Sequence, residues 1–151
     1  MKKVVLSALV CVSIFACKKE ETPVTPVITG PTKHCTATVN GSAFSADSYG
    51  SGSINTSYSV SSNSTGGSYI QLGGTMGQTG THPLSGFPNL FSGTYRINNV
   101  TYTSKSGSVN ITKCDTLNGF LKHFTATFNF NTDTISGTSY QIINGDIDYF
   151  N

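Results

Sequence analysis

Few residues of this 151-residue sequence carry side chains suited to acid–base or metal chemistry. Asp146 and Asp148 lie two residues apart, so on a β-strand both carboxylates point to the same side. Such a pair could bind calcium or act as a general acid and base, but it more often belongs to a solvated strand face. The histidines His34, His82 and His123 are scattered and show no metal-ligand spacing. We therefore predict no metal site.

Other sequence signatures of catalysis are missing. The sequence has no G-x-S-x-G nucleophile elbow and no G-x-G-x-x-G dinucleotide motif, and no glutamate follows Glu21. Aspartates remain as candidate acids, so a hydrolase is kept as an alternative. We predict a protein that is not an enzyme and uses no cofactor.

Cys17 carries the most specific chemical signal of the chain. It directly follows an apolar run of thirteen residues, Val4 to Ala16, which two lysines precede. This run is too short to span a bilayer and has the length of a signal-peptide core. The sequence Ile14-Phe15-Ala16-Cys17 resembles the lipobox of bacterial lipoproteins. The resemblance implies that residues 1–16 are a signal peptide and that the Cys17 sulfur receives a lipid. The alternative is an ordinary secretory signal with a chance cysteine.

Residues 17–33 form a charged and then proline-rich tether. Lys18-Lys19-Glu20-Glu21 resembles the surface-export signal of Bacteroidetes lipoproteins, and the alternative is a solvated start to a linker. Three prolines lie between Glu20 and Thr32 and favour an extended chain. We expect a lipid-anchored protein of the outer membrane, exposed at the cell surface.

Two further cysteines, Cys35 and Cys114, follow the tether. Outside the cytoplasm disulfides persist, so we predict that these two residues pair. The bond would close a loop of about 80 residues and stabilise the fold by about 4 kcal/mol in the chain-entropy model. The alternative is two buried free thiols.

Residues 34–151 show the alternation of an all-β domain. Without its first sixteen residues the chain has seven basic and seven acidic side chains, so no basic patch indicates nucleic acid. Phe124 to Phe130 alternate apolar and polar residues, and Asn40-Gly41 predicts a hairpin between two such runs. A second Asn-Gly pair, Asn144-Gly145, predicts a bulge or a turn. We predict a single antiparallel β-sandwich or flattened barrel of eight to nine short strands.

The segment Met76 to Phe91 is the least regular part of this domain. Loops on rigid β scaffolds often bind ligands, and aromatic side chains there could stack on sugars or peptides. The alternative is a loop whose apolar side chains cover an open end of the core. The candidate binding residues are Leu84, Phe87, Leu90 and Phe91.

Two short patterns suggest covalent modification. Asp115-Thr116-Leu117 and Asp133-Thr134-Ile135 resemble the Bacteroidetes O-glycosylation pattern, which implies glycans on Thr116 and Thr134. The alternative is two turn aspartates that accept hydrogen bonds from nearby backbone amides.

The order of motifs along the domain resembles an uncharacterised all-β domain family of Bacteroidetes lipoproteins. Its parts are V-N-G at Val39 to Gly41, G-T-Y at Gly93 to Tyr95, I-T-K at Ile111 to Lys113 and a terminal N-G-D-I at Asn144 to Ile147. The resemblance implies no catalytic residues. We expect a non-catalytic domain that binds a glycan or a protein at the cell surface; a structural subunit of an outer-membrane complex is the alternative.

Overall fold

The computed structural model describes residues 32–85 and 90–151. Within these ranges the chain forms ten β-strands and no helix, so the predicted all-β class is confirmed, with one or two strands more than expected. The strands are β1 His34–Val39, β2 Ser42–Ser45, β3 Ser48–Ile54, β4 Ser57–Asn63, β5 Tyr69–Thr75, β6 Gly80–Pro83, β7 Ser92–Ile97, β8 Val100–Leu117, β9 Phe120–Thr132 and β10 Gln141–Phe150.

Nine strands form one antiparallel sheet in the order β2-β1-β10-β9-β8-β7-β5-β4-β3, and β6 pairs separately with β8. The sheet curls along β8, which is 18 residues long and joins its two halves. Its first residues pair with β7, and from Ser104 onward it pairs with β9. The two halves of the sheet therefore lie against each other as a half-barrel around one core.

Two-residue turns with left-handed backbone set the register of the hairpins. Asn40 and Gly41 have φ values of 46° and 82°, which match the predicted hairpin. Asn118 and Gly119 close the long β8–β9 hairpin in the same way, with φ values of 52° and 77°. The Asn144–Gly145 pair is a bulge in β10, because the register of β10 on β9 shifts between Ile142 and Gly145.

The core follows the predicted alternation of β9. Phe124, Ala126, Phe128 and Phe130 are each 3% exposed or less, while the residues between them face outward. Gly145 leaves room for this row, since a Cβ atom there would lie 2.4 Å from the Phe128 ring. The aromatic row thus explains why β10 has glycine at its bulge.

Two polar contacts join the edge strand β3 to the opposite half of the sheet. The hydroxyl groups of Ser51 and Tyr149 are 2.9 Å apart, and the Leu121 amide donates to Ser53 Oγ at 3.3 Å. These contacts bring the β3–β4 hairpin beside the β8–β9 hairpin at one end of the half-barrel.

Candidate functional site

A concave pocket of about 250 Å³ opens at the other end of the half-barrel. The β1–β2 hairpin forms one wall, β7 forms the facing wall, and the β9–β10 connection closes the side. The lining residues carry no charge and include three aromatic rings; they are Val39, Asn40, Ser42, Ala43, Phe44, Ser68, Tyr95, Ile97 and Tyr140.

A cluster of tyrosines supports this pocket from behind. The Tyr140 ring lies 4.8 Å from the Tyr95 ring and 4.8 Å from the Tyr102 ring, tilted on the first and edge-on to the second. Such tilted aromatic pairs contribute stability beyond that expected from the surface area that they bury. Burial raises the pKa of Tyr95 above its ordinary value, so its phenol stays neutral at physiological pH.

The Asn40 side chain links the β1–β2 hairpin to the β9–β10 connection. Its Oδ1 accepts a hydrogen bond from the Gln141 amide at 2.7 Å, and its Nδ2 donates to the Ser139 carbonyl at 3.3 Å. The Asn40 amide also donates to the Gln141 carbonyl at 2.9 Å. Three hydrogen bonds therefore hold the β1–β2 turn against the β9–β10 connection, and the pocket is preformed.

The candidate binding loop mostly belongs to the core instead. Leu84 and Phe91 are 0% and 6% exposed, and the His82 ring stacks on Phe91 with 4.0 Å between centroids. Leu90 is exposed, and Phe87 lies outside the described residues. The burial of Leu84 and Phe91 agrees with the alternative interpretation, in which the apolar side chains of this segment cover the core.

The structure brings together two histidines and the aspartate pair on the outer face of the sheet. Asp146 and Asp148 both point outward, as their spacing predicts. Asp146 Oδ2 lies 2.9 Å from His34 Nε2, and Asp148 Oδ1 lies 2.7 Å from His123 Nε2. The hydrogen bond that His34 donates to Asp146 raises the pKa of His34, although partial burial opposes the rise.

These pairs do not have the geometry of a catalytic triad. Thr125 Oγ1 is 3.2 Å from His123 Nε2, which is the same nitrogen that Asp148 contacts. A triad needs the carboxylate and the nucleophile on opposite ring nitrogens, so that one orients the imidazole and the other loses its proton to it. Among the described residues, no group of three or more His, Cys, Asp or Glu side chains is placed to hold a metal ion.

The two candidate glycosylation residues, Thr116 and Thr134, are both exposed, so the fold leaves them accessible. Asp133, however, has a structural role. Its Oδ1 accepts from the Thr103 amide at 2.9 Å, and its own amide donates to the Thr103 carbonyl at 2.8 Å. Asp115 lies 3.5 Å from the Lys113 ammonium group at the surface.

The predicted disulfide is corrected. Cys35 and Cys114 are two separate buried thiols. Cys35 lies in β1 and Cys114 in β8, with β10 and β9 between those strands. Three strand spacings are about 14 Å along a sheet, whereas a disulfide needs Cα atoms within about 7 Å. Burial raises the pKa of the Cys35 thiol to about 11 and also raises that of Cys114.

The signal peptide, the lipidation site Cys17 and the Lys18–Glu21 motif lie outside the described residues. In the part of the chain that is described, no helix has the length and apolarity to cross a bilayer.

The chain matches no protein-family model, no curated protein and no solved structure.

The sequence predicted the hairpin at Asn40-Gly41 but did not group the pocket residues as a site. The pocket forms because the curl of the sheet brings β2 opposite β7, and that contact spans about 50 residues of sequence. The only local signal is the Asn40-Gly41 turn, which places Phe44 beside a free sheet edge.

Proposed function

We propose that this chain is an envelope-anchored lipoprotein with a non-catalytic, partner-binding β domain. Its aromatic pocket would take one apolar or aromatic side chain of an extended peptide segment. The observation that carries the proposal is the preformed pocket with three aromatic rings and no charged residue. The lipid anchor and the cell-surface location rest on the sequence from Ile14 to Glu21.

The size of the pocket favours a single side chain. Sites for whole small molecules usually measure about 300 to 1,000 Å³, and this pocket is smaller. Aromatic platforms for sugars present an exposed ring face, but Phe44 and Tyr95 are only 6% and 4% exposed. Tyr140 is half-buried and is the most exposed of the three lining rings. An apolar side chain therefore fits this pocket better than a sugar ring does.

The free edge of β2 supplies the second half of a peptide site. Among the described residues, β2 pairs only with β1. Val39 and Ser42 flank a two-residue turn and so form a hydrogen-bonded pair. By the alternation of an antiparallel ladder, the amides of Ala43 and Ser45 point away from β1. An extended peptide could pair with these amides and place every second side chain toward the pocket.

A selection from a displayed random-peptide library against the full lipidated chain tests the proposal. We expect the selected peptides to share one apolar or aromatic position. Ser42→Phe adds a ring at the pocket wall and should weaken their binding by about tenfold or more. Thr127→Phe is the matched control, because Thr127 is exposed on the outer face of β9 and lies outside both the pocket and β2.

The β2 edge is tested separately by Ala43→Pro. Proline removes only the outward amide, so the pairing with β1 should survive while peptide binding is lost. Peptides that bind Ser42→Phe as tightly as the unchanged protein would contradict the pocket assignment. Undiminished binding to Ala43→Pro would contradict strand addition.

A further inference from the structure

Three large apolar side chains are exposed at the end of the half-barrel opposite the pocket. Ile54 is 76% exposed at the tip of the β3–β4 hairpin. Leu117 and Phe120 are 59% and 67% exposed and are partners across the β8–β9 turn. We refer to Ile54, Leu117 and Phe120 as the apolar rim.

The two hairpins that carry the apolar rim are in contact. The Leu121 amide donates to Ser53 Oγ at 3.3 Å, and each of these residues directly neighbours a member of the rim in sequence. The side chains on either side of this bond face the core: Leu121 is 1% exposed, and Ser53 pairs with Tyr58, which is 4% exposed. The rim side chains therefore point outward from two hairpins that are held together.

The chain enters the domain at this same end. His34 pairs with Asp148, and Asp148 pairs with Thr125, so residue 32 is level with the first few residues of β9. Along the strand direction, residue 32 therefore lies about three residues, or about 10 Å, from Phe120. Lys33 Nζ lies 4.8 Å from the centre of the Tyr149 ring and 5.6 Å from that of Phe150. The tether that precedes residue 32 thus starts from the rim end, whereas the pocket lies at the far end of β1.

We propose that the apolar rim docks on the surface of the lipid bilayer that holds the Cys17 anchor and so turns the pocket away from the membrane. The inference rests on the proposed lipoprotein. The 15 residues from 17 to 31 span at most about 50 Å when fully extended, so the tether by itself allows many orientations. It also keeps the rim near the bilayer at high effective concentration, so a weak apolar contact is enough to select one orientation.

Tryptophan fluorescence tests this orientation, because the natural sequence contains no tryptophan. The lipidated full chain is reconstituted in phosphatidylcholine vesicles with ordinary or brominated acyl chains, as Phe120→Trp and, in a matched sample, as Thr134→Trp. Thr134 is exposed in the β9–β10 connection at the pocket end. Side chains that dock at the interface reach roughly 5 to 10 Å into the headgroup and acyl boundary, so bromination should quench Phe120→Trp by about twofold. The emission of Thr134→Trp should not change.

Flotation of the same vesicles separates this inference from the proposed function. Chains that fail to float, or that float equally well with Cys17→Ser, would overturn the lipid anchor on which it rests. Chains that float only through Cys17 but show no quenching of Phe120→Trp would overturn the docked rim alone. A blue shift of Phe120→Trp without quenching, at rising protein density, would assign the rim to a second copy of this chain instead.

Discussion

Similar aromatic side chains differ greatly in solvent exposure between the two ends of the half-barrel. At the pocket end, Phe44 follows the Asn40-Gly41 turn and is 6% exposed; at the rim end, Phe120 follows the Asn118-Gly119 turn and is 67% exposed. Both turns have the same left-handed conformation. The strand face decides the outcome, because Phe44 points into the curl of the sheet and Phe120 points out of it.

The difference in exposure distinguishes aromatic residues that stabilise the fold from those that can contact another surface. An inward aromatic residue contributes to the core and shapes a pocket, whereas an outward one contributes little to folding and is available to another surface.

The two ends share one core, so a cavity at either should destabilise the whole domain. Phe130→Ala removes the ring that packs under Gly93 near the pocket, and Phe124→Ala removes the ring that packs on Tyr58 near the rim. Each should lower the free energy of unfolding by about 3 to 5 kcal/mol, with one transition in urea. Two separate transitions in either variant would show that the ends fold independently.

Stability should fall at alkaline pH because of the Cys35 thiol. Burial raises the folded-state pKa from 9.0 to about 11, so this contribution is complete below pH 9 and is lost as pH rises toward 11. The loss would be about 2 to 3 kcal/mol, at 1.36 kcal/mol per pKa unit. Denaturation curves between pH 8 and 11 measure it, and Cys35→Ala should be less pH-dependent. Equal slopes in both proteins would contradict a buried, protonated thiol.

Tyr140→Ala should cost less stability than a core cavity because Tyr140 is only half-buried. Loss of its contacts with Tyr95 and Tyr102 should lower the free energy of unfolding by about 1 to 2 kcal/mol. It should also remove binding of the library-selected peptides. Tyr140→Phe keeps the ring contacts and serves as the control in thermal melts and binding assays. Normal peptide binding by Tyr140→Ala would show that the pocket wall is not needed.

Substitutions in the apolar rim should leave stability almost unchanged. Leu117→Ser and Phe120→Ser replace exposed side chains, and such surface changes usually stay within about 0.5 kcal/mol. Urea denaturation of the chain in detergent checks this result. A loss above about 2 kcal/mol would mean that the rim side chains pack on the domain, and the contrast between the ends would fail.

Local patterns in the sequence predicted the strands well. The alternation from Phe124 to Phe130 fixed the inner face of β9, and Asn40-Gly41 fixed a hairpin, because both signals depend on neighbouring residues. The spacing of Asp146 and Asp148 correctly placed their carboxylates on one face. Their histidine partners were not predictable, because His34 and His123 reach them from β1 and β9 through the pairing of distant strands.

The predicted disulfide is wrong and Leu84 and Phe91 are buried for a related reason. Cys35 and Cys114 are compatible by count and compartment, but strand order puts β10 and β9 between them. In the sequence Leu84 and Phe91 resemble exposed loop residues, but β6 pairs with β8 and brings them over the core. Both outcomes depend on how strands that are distant in sequence are ordered in the sheet, and no short motif encodes that order.

Amide chemical shifts, mapped by NMR during titration with a library-selected peptide, directly test strand addition at the β2 edge. The largest shifts should fall on Ala43 and Ser45 of β2 and on the residues of the aromatic pocket, while the rim end is unaffected. Shifts centred on residues 80–91 or on the rim, with β2 unchanged, would contradict it.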